Sequence, residues 1–183
     1  MRLNTKMLTT CALLAALSVI LARLIVPMPN EFTRFSIEAV PIFIAGMLFG
    51  PIAGGLVGFV ADFVGCLFSI HGFNPIFCVP PILYGVCAGL FRNAGFFRPF
   101  AQKKYDIWRI ALAFLPSIVL GSILYQSAAL GFVYGKGFWF FFSTRSVQFA
   151  ITFVLDVVIV YLLCTSNIFT TAKLWPSAKK EKK

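Results

Sequence analysis

Four polar residues within a largely apolar stretch form the clearest chemical pattern in the chain. Arg145, Gln148, Thr152 and Asp156 follow one another at spacings of three, four and four. On a helix that spacing places all four on one face. Polar groups facing lipid are costly, so the stripe should turn toward a bundle interior or a wet cavity. Arg145 alone, at the outer end of its helix, would read as a snorkelling cation. With the stripe beneath it, a polar cavity opening outward is an equal reading.

A second pattern joins small residues to a carboxylate. Gly46, Gly50, Gly54 and Gly58 recur every four residues, and Asp62 lies four further on. Small residues at this spacing let helix backbones approach closely in lipid. Asp62 has two open readings: a functional carboxylate within the membrane, or an interhelical hydrogen bond. Near the outer end lie Tyr125, Gln126 and Arg34, with the aromatics Phe32, Phe73, Phe138 and Trp139 at the same depth. The rings suit an interfacial belt. They equally suit a clamp in which rings stack on a planar ligand and two Arg residues hold its carboxylates.

The common enzyme signatures are missing. Gly131-Phe-Val-Tyr-Gly135-Lys136-Gly137 is one residue short of a phosphate loop and lacks its final Ser or Thr. HExxH and GxSxG are absent, and His71 is the only histidine. No catalytic residue, metal site or cofactor is expected.

The elements that hold these residues follow from composition. Of 183 residues, 60% are hydrophobic and 12% charged, where a soluble domain has about half and about a quarter. Lipid accepts the excess. The net charge of +10 sits in short clusters between apolar runs, which suits topology and anionic headgroups better than nucleic acid. The five cysteines have no CxxC pair and read as small buried hydrophobes. The first apolar run is long for a signal core and reads as a retained span.

Six spans are expected, at 7–26, 37–50, 52–70, 76–92, 108–131 and 144–166. The fold class is an all-α, six-transmembrane-helix bundle with N- and C-termini cytoplasmic. It forms one membrane domain over 1–171, followed by a basic tail, 172–183, read as disordered. Gly50-Pro51 is taken as a turn. Merging the helices on either side would move the basic central loop and tail outside, against the positive-inside bias. With six spans, twelve basic residues lie inside. Only Arg23, Arg34, Lys136 and Arg145 lie at or near the outer side.

The stretch Arg34-Phe-Ser-Ile-Glu38-Ala-Val-Pro41-Ile-Phe-Ile-Ala-Gly46-Met-Leu-Phe-Gly50-Pro51-Ile-Ala-Gly54-Gly-Leu-Val-Gly58-Phe-Val-Ala-Asp62-Phe-Val-Gly65 resembles the substrate-binding S components of energy-coupling factor vitamin transporters, in particular the folate type. The Thr5-Lys6 opening with Ala12 and Ala16, and the passage from Tyr134-Gly135 to Arg145, are similar too. Gly72-Phe73-Asn74-Pro75-Ile76-Phe77 departs from the family pattern, where a Phe-Pro-Gly-Phe-Thr-like stretch is expected.

The resemblance implies a subunit of the plasma membrane, bacterial in setting, that captures folate or a related vitamin from outside. It then docks on a transmembrane coupling subunit served by two ATPase subunits. Ala12 and Ala16 would form the docking face. Arg34 and Arg145 would meet the glutamate carboxylates or the polar pterin edge. Phe73 and Trp139 would stack on the rings, and Asn74, Gln126 and Gln148 would offer hydrogen bonds. Asp62 would pair with a pterin amino and ring N–H group or hold helices together. The alternatives are a component for another vitamin (riboflavin, thiamine or a queuosine precursor), a small lipid-modifying membrane enzyme, or an assembly subunit without a ligand.

Overall fold

The computed structural model describes residues 5–23, 37–67, 75–97, 106–134 and 137–166. All regular elements among them are helical. Helix α1 is Thr5–Arg23, α2 is Ala39–Phe49 and α3 is Pro51–Leu67. A 3-10 turn, Pro75–Cys78, leads into α4, Val79–Asn93. Helix α5 runs through Ile107–Ser117, a π-helical Ile118–Tyr125 and Gln126–Tyr134, and α6 is Phe138–Thr165. Each of the six expected helices has its counterpart. The loop positions Arg34, Phe73 and Asn74 and the 172–183 tail lie outside the described residues.

Four helices are long and apolar enough to cross a bilayer: Thr5–Ala22, Pro75–Asn93, Ile107–Val133 and Phe138–Thr165. The other two, α2 and α3, are apolar but shorter. Eleven residues of α2 rise only about 16 Å, roughly half of a ~30 Å hydrocarbon core. Helix α2 is buried along nearly its whole length, from Ala39 to Leu48. An all-round apolar helix of this kind belongs in a core. Phe43 of α2 stacks on Phe114 of α5 at 3.8 Å between ring centroids, and both rings are fully buried. Large apolar side chains such as Leu13, Trp108, Phe132 and Val154 stand on the outside, as lipid contact allows.

The α2–α3 junction follows from two residues. Gly50 adopts φ +98°, a region L side chains avoid. Pro51 then opens α3, where its missing N–H costs nothing. The Gly50 N–H donates to the Gly46 carbonyl at 2.8 Å, and the Gly54 N–H to the Gly50 carbonyl at 2.9 Å. The turn expected at Gly50-Pro51 is therefore present.

The glycine series continues into a third helix that the sequence pattern did not reveal. Helix α4 lays Gly85 against Gly46 and Gly54, Pro81 against Gly58, and Gly89 against Pro51. A Cβ on Gly54 would stand 2.5 Å from the Gly85 carbonyl oxygen, so only glycine permits this approach.

Helix α4 stops at a Schellman turn. Gly95 takes φ +76°, its N–H donates to the Arg92 carbonyl, and the Phe96 N–H donates to the Phe91 carbonyl at 3.0 Å. The accompanying apolar contact is Phe91 on Phe96, 5.3 Å between centroids. Arg109 of α5 then holds the Phe96 carbonyl at 2.9 Å and pairs with Asp106 at 3.1 Å.

Helix α6 begins at Phe138 rather than at 144, so Phe138 and Trp139 occupy its first turn instead of a loop. Aromatics are weak helix formers by themselves. Here ring contacts along the helix hold them: Phe138 on Phe142 at 5.6 Å and Trp139 on Phe142 at 5.8 Å.

Candidate ligand site

The stripe on α6 turns inward as its spacing requires. Arg145, Gln148, Thr152 and Asp156 are all buried, and they face helices that α6 packs against, α2 and α5. Arg145 is 8% exposed and Asp156 1%. The Arg145 guanidinium lies over the Phe149 ring, 5.6 Å from its centroid. Its Nε has no hydrogen-bond partner among the described residues, and neither does either carboxylate oxygen of Asp156. Thr152 spends its hydroxyl on the Gln148 carbonyl, one turn back, at 3.1 Å.

Other elements contribute polar groups that the sequence reading did not single out. Tyr84 of α4 shares a 2.8 Å hydrogen bond with Ser122 in the π-helical part of α5. Tyr84 lies within electrostatic reach of Asp156, Glu38 and Arg145. Glu38 precedes α2, and its backbone carbonyl accepts the Ser18 hydroxyl of α1 at 2.8 Å. Ser127, just beyond the π segment, is fully buried with its hydroxyl unpartnered among the described residues. A signal was available for three of these: Tyr84 and Ser122 are isolated polar residues in apolar runs, and Ser127 adjoins Gln126 in one. The π segment itself follows Pro116, which removes a backbone donor and crowds the preceding turn. Such segments often mark functional sites.

The remaining expected residues fall elsewhere. Asp62 accepts the Cys78 thiol at 2.7 Å, with the Cys66 thiol at 4.0 Å. It thereby ties α3 to the turn before α4. Trp139 is 76% exposed and packs edge-on against Phe138 at 5.7 Å. Gln126 is half-buried at the end of the π segment. Ala12 and Ala16 are exposed on α1, whose other face, with Ala15 and Ser18, is buried. The structure thus gathers Arg145 and Gln148 with Asp156, Tyr84 and Ser122. It leaves Asp62 and Trp139 outside that group.

An interior of this kind can do one chemical thing well. It offers a cation toward one end, a carboxylate deep within, and hydroxyls between, inside an apolar bundle. That suits recognition of an extended polar molecule.

Comparison with known proteins places the chain. A family model described as ECF transporter, substrate-specific component, matches residues 6–164. The folate transporter FolT of Clostridium novyi (strain NT) is 29% identical over 129 residues, covering 70% of this chain and 70% of that protein. A crystal structure of FolT bound with folic acid aligns with a TM-score of 0.72 and 28% identity, over 88% of this chain and 94% of that one. The S component of a bacterial ECF transporter shares the fold, with a TM-score of 0.55 and 18% identity over 92% and 96% of the two chains. The family match runs from α1 to the end of α6 and so includes both the glycine seam and the buried stripe. The chain belongs to the energy-coupling factor transporters as a substrate-specific component, a membrane protein of the transport machinery.

Proposed function

We propose that this chain captures folate or a closely related vitamin for import. The observation that carries the reading is the buried Arg145 at the head of an inward polar stripe. It occurs in a fold similar to FolT bound with folic acid. A buried guanidinium with an unpartnered Nε is suited to a carboxylate, through short charge-assisted hydrogen bonds.

In this reading Arg145 and Arg34 hold the carboxylates of the ligand's glutamate. Gln148 and Gln126 supply hydrogen bonds, together with Asn74. Phe73 stacks on the rings, and Trp139 guards the mouth at the start of α6. Asp62 holds α3 to α4. The chain spans the bacterial plasma membrane six times with both termini in the cytoplasm, as the distribution of basic residues favours. In this topology α2 and α3 form a hairpin broken at Gly50-Pro51, with the short α2 enclosed by other helices rather than by lipid.

Energy comes from elsewhere. The exposed Ala12 and Ala16 on α1 give a small-residue face suited to close helix contact with a transmembrane coupling subunit. Two ATPase subunits on that partner drive the cycle. Ligand binding then belongs to this chain and ATP hydrolysis to its partners.

A tryptophan-fluorescence titration of the purified chain in detergent with folate, riboflavin and thiamine tests the reading. Trp139 lies less than two turns from Arg145 on the same helix and serves as the reporter. Saturable quenching by folate alone is expected. Saturation by riboflavin or thiamine instead would replace the vitamin. No response from folded protein to any of the three would remove the binding function.

A further inference from the structure

We propose that Asp156 is the residue that selects the ligand's ring system. It takes a planar heterocycle presenting an amino group beside a ring N–H, with both carboxylate oxygens accepting. This rests on the folate reading above and deepens it, since a pterin carries that edge. Asp156 is 1% exposed, and both its oxygens lack a hydrogen-bond partner among the described residues. Leaving a buried carboxylate unmatched costs several kcal/mol by general experience, so the position demands a donor.

No nearby hydroxyl reaches Asp156 among the described residues. Thr152 donates to the Gln148 carbonyl at 3.1 Å, and Tyr84 and Ser122 share one hydrogen bond with each other at 2.8 Å. Two free oxygens on one planar group match two parallel N–H donors better than a single hydroxyl. No cluster of three metal-ligating side chains occurs among the described residues, which disfavours a metal ion as the occupant.

The surroundings suit a flat ring. Tyr84, within electrostatic reach of Asp156, packs edge-on against Phe114 at 6.1 Å, and Phe114 stacks on Phe43. Arg145 lies eleven residues back on the same helix, about 16 Å along its axis. One extended molecule with a donor-bearing ring at one end and carboxylates at the other spans that interval. Arg145, with its free Nε, and Asp156, with its two free oxygens, then serve its two ends.

The test uses calorimetric titration of the full chain and its Asp156→Asn variant. The ligands are folic acid, its 2-desamino-2-methyl analogue, and 4-aminobenzoylglutamate, which keeps the carboxylates and lacks the ring. Asp156→Asn is expected to weaken folic acid by about 10- to 100-fold, the range for losing hydrogen bonds to a charged group. It should leave 4-aminobenzoylglutamate unchanged. The wild type should bind the desamino analogue at least about tenfold more weakly than folic acid, and the variant should not distinguish the two. Equal binding of folic acid by wild type and variant overturns the assignment and leaves the folate reading standing. So does equal binding of the two folates by the wild type, a result that needs no variant to fold. Failure of the wild type to bind folic acid overturns the folate reading itself, and the assignment with it.

Discussion

The contact of α2, α3 and α4 and the inner face of α6 are both buried, yet they are built on opposite principles. In the first, Gly46, Gly54 and Gly85 bring backbones so close that a single added carbon has no room. In the second, Arg145 and Asp156 are enclosed with donor and acceptor atoms unmatched among the described residues. Close packing of small residues gives helices in lipid a fixed geometry. Unmatched buried polar atoms reduce stability and are kept where something else completes them. On the proposed function, the three-helix seam is scaffold and the α6 face serves recognition. The difference also separates two acids within apolar helices: Asp62 has thiol partners, and Asp156 has none among the described residues.

Substitutions should break the two regions in different ways. Gly85→Leu forces a side chain into the backbone of α3, and overpacking of backbone against backbone exceeds the usual 1–3 kcal/mol cost (about that range for ordinary core sites). No monodisperse, folded protein is expected on size-exclusion chromatography. Arg145→Gln should do the reverse. The unliganded melting temperature stays level or rises, because a buried charge has gone. Folate affinity falls by about 10- to 100-fold in calorimetry.

Gly50→Ala places an L side chain at φ +98° and 3.0 Å from the Arg92 guanidinium. A loss of about 1–3 kcal/mol is expected, read as a lower melting temperature with unchanged folate affinity. Asp62→Asn should be mildest. It weakens the bond to Cys78 and costs about 1 kcal/mol or less, again without changing affinity. A large affinity loss in Asp62→Asn would move that residue into the ligand site and blur the division between the regions.

Much of this division was visible in the sequence, for different reasons in each region. The α6 face was legible because helical periodicity acts within one segment: Arg145, Gln148, Thr152 and Asp156 declare a common face without any knowledge of neighbours. The glycine repeat declared close approach, and Gly50-Pro51 declared a break. Its partner did not appear, since nothing in the spacing of Gly46, Gly54 and Gly58 names Gly85 on another helix. For the same reason the spacing around Asp62 did not name Cys78 as its neighbour, because hydrogen bonds between helices depend on packing. Phe138 and Trp139 were placed in a loop because aromatic clusters suit the membrane interface. Contacts to Phe142 carry the helix through them. The π segment was hidden as well: Pro116 marks a disturbance in α5, but not the form it takes.

The interior face of α6 is the proposed vitamin site, and a structure of the chain determined with folic acid bound would show it. The ligand is expected against α6, its carboxylates on Arg145 and its ring reaching the level of Asp156. Folic acid found instead on the exposed rings of Phe138 and Trp139, with Arg145 and Asp156 bonded only to protein, would contradict it.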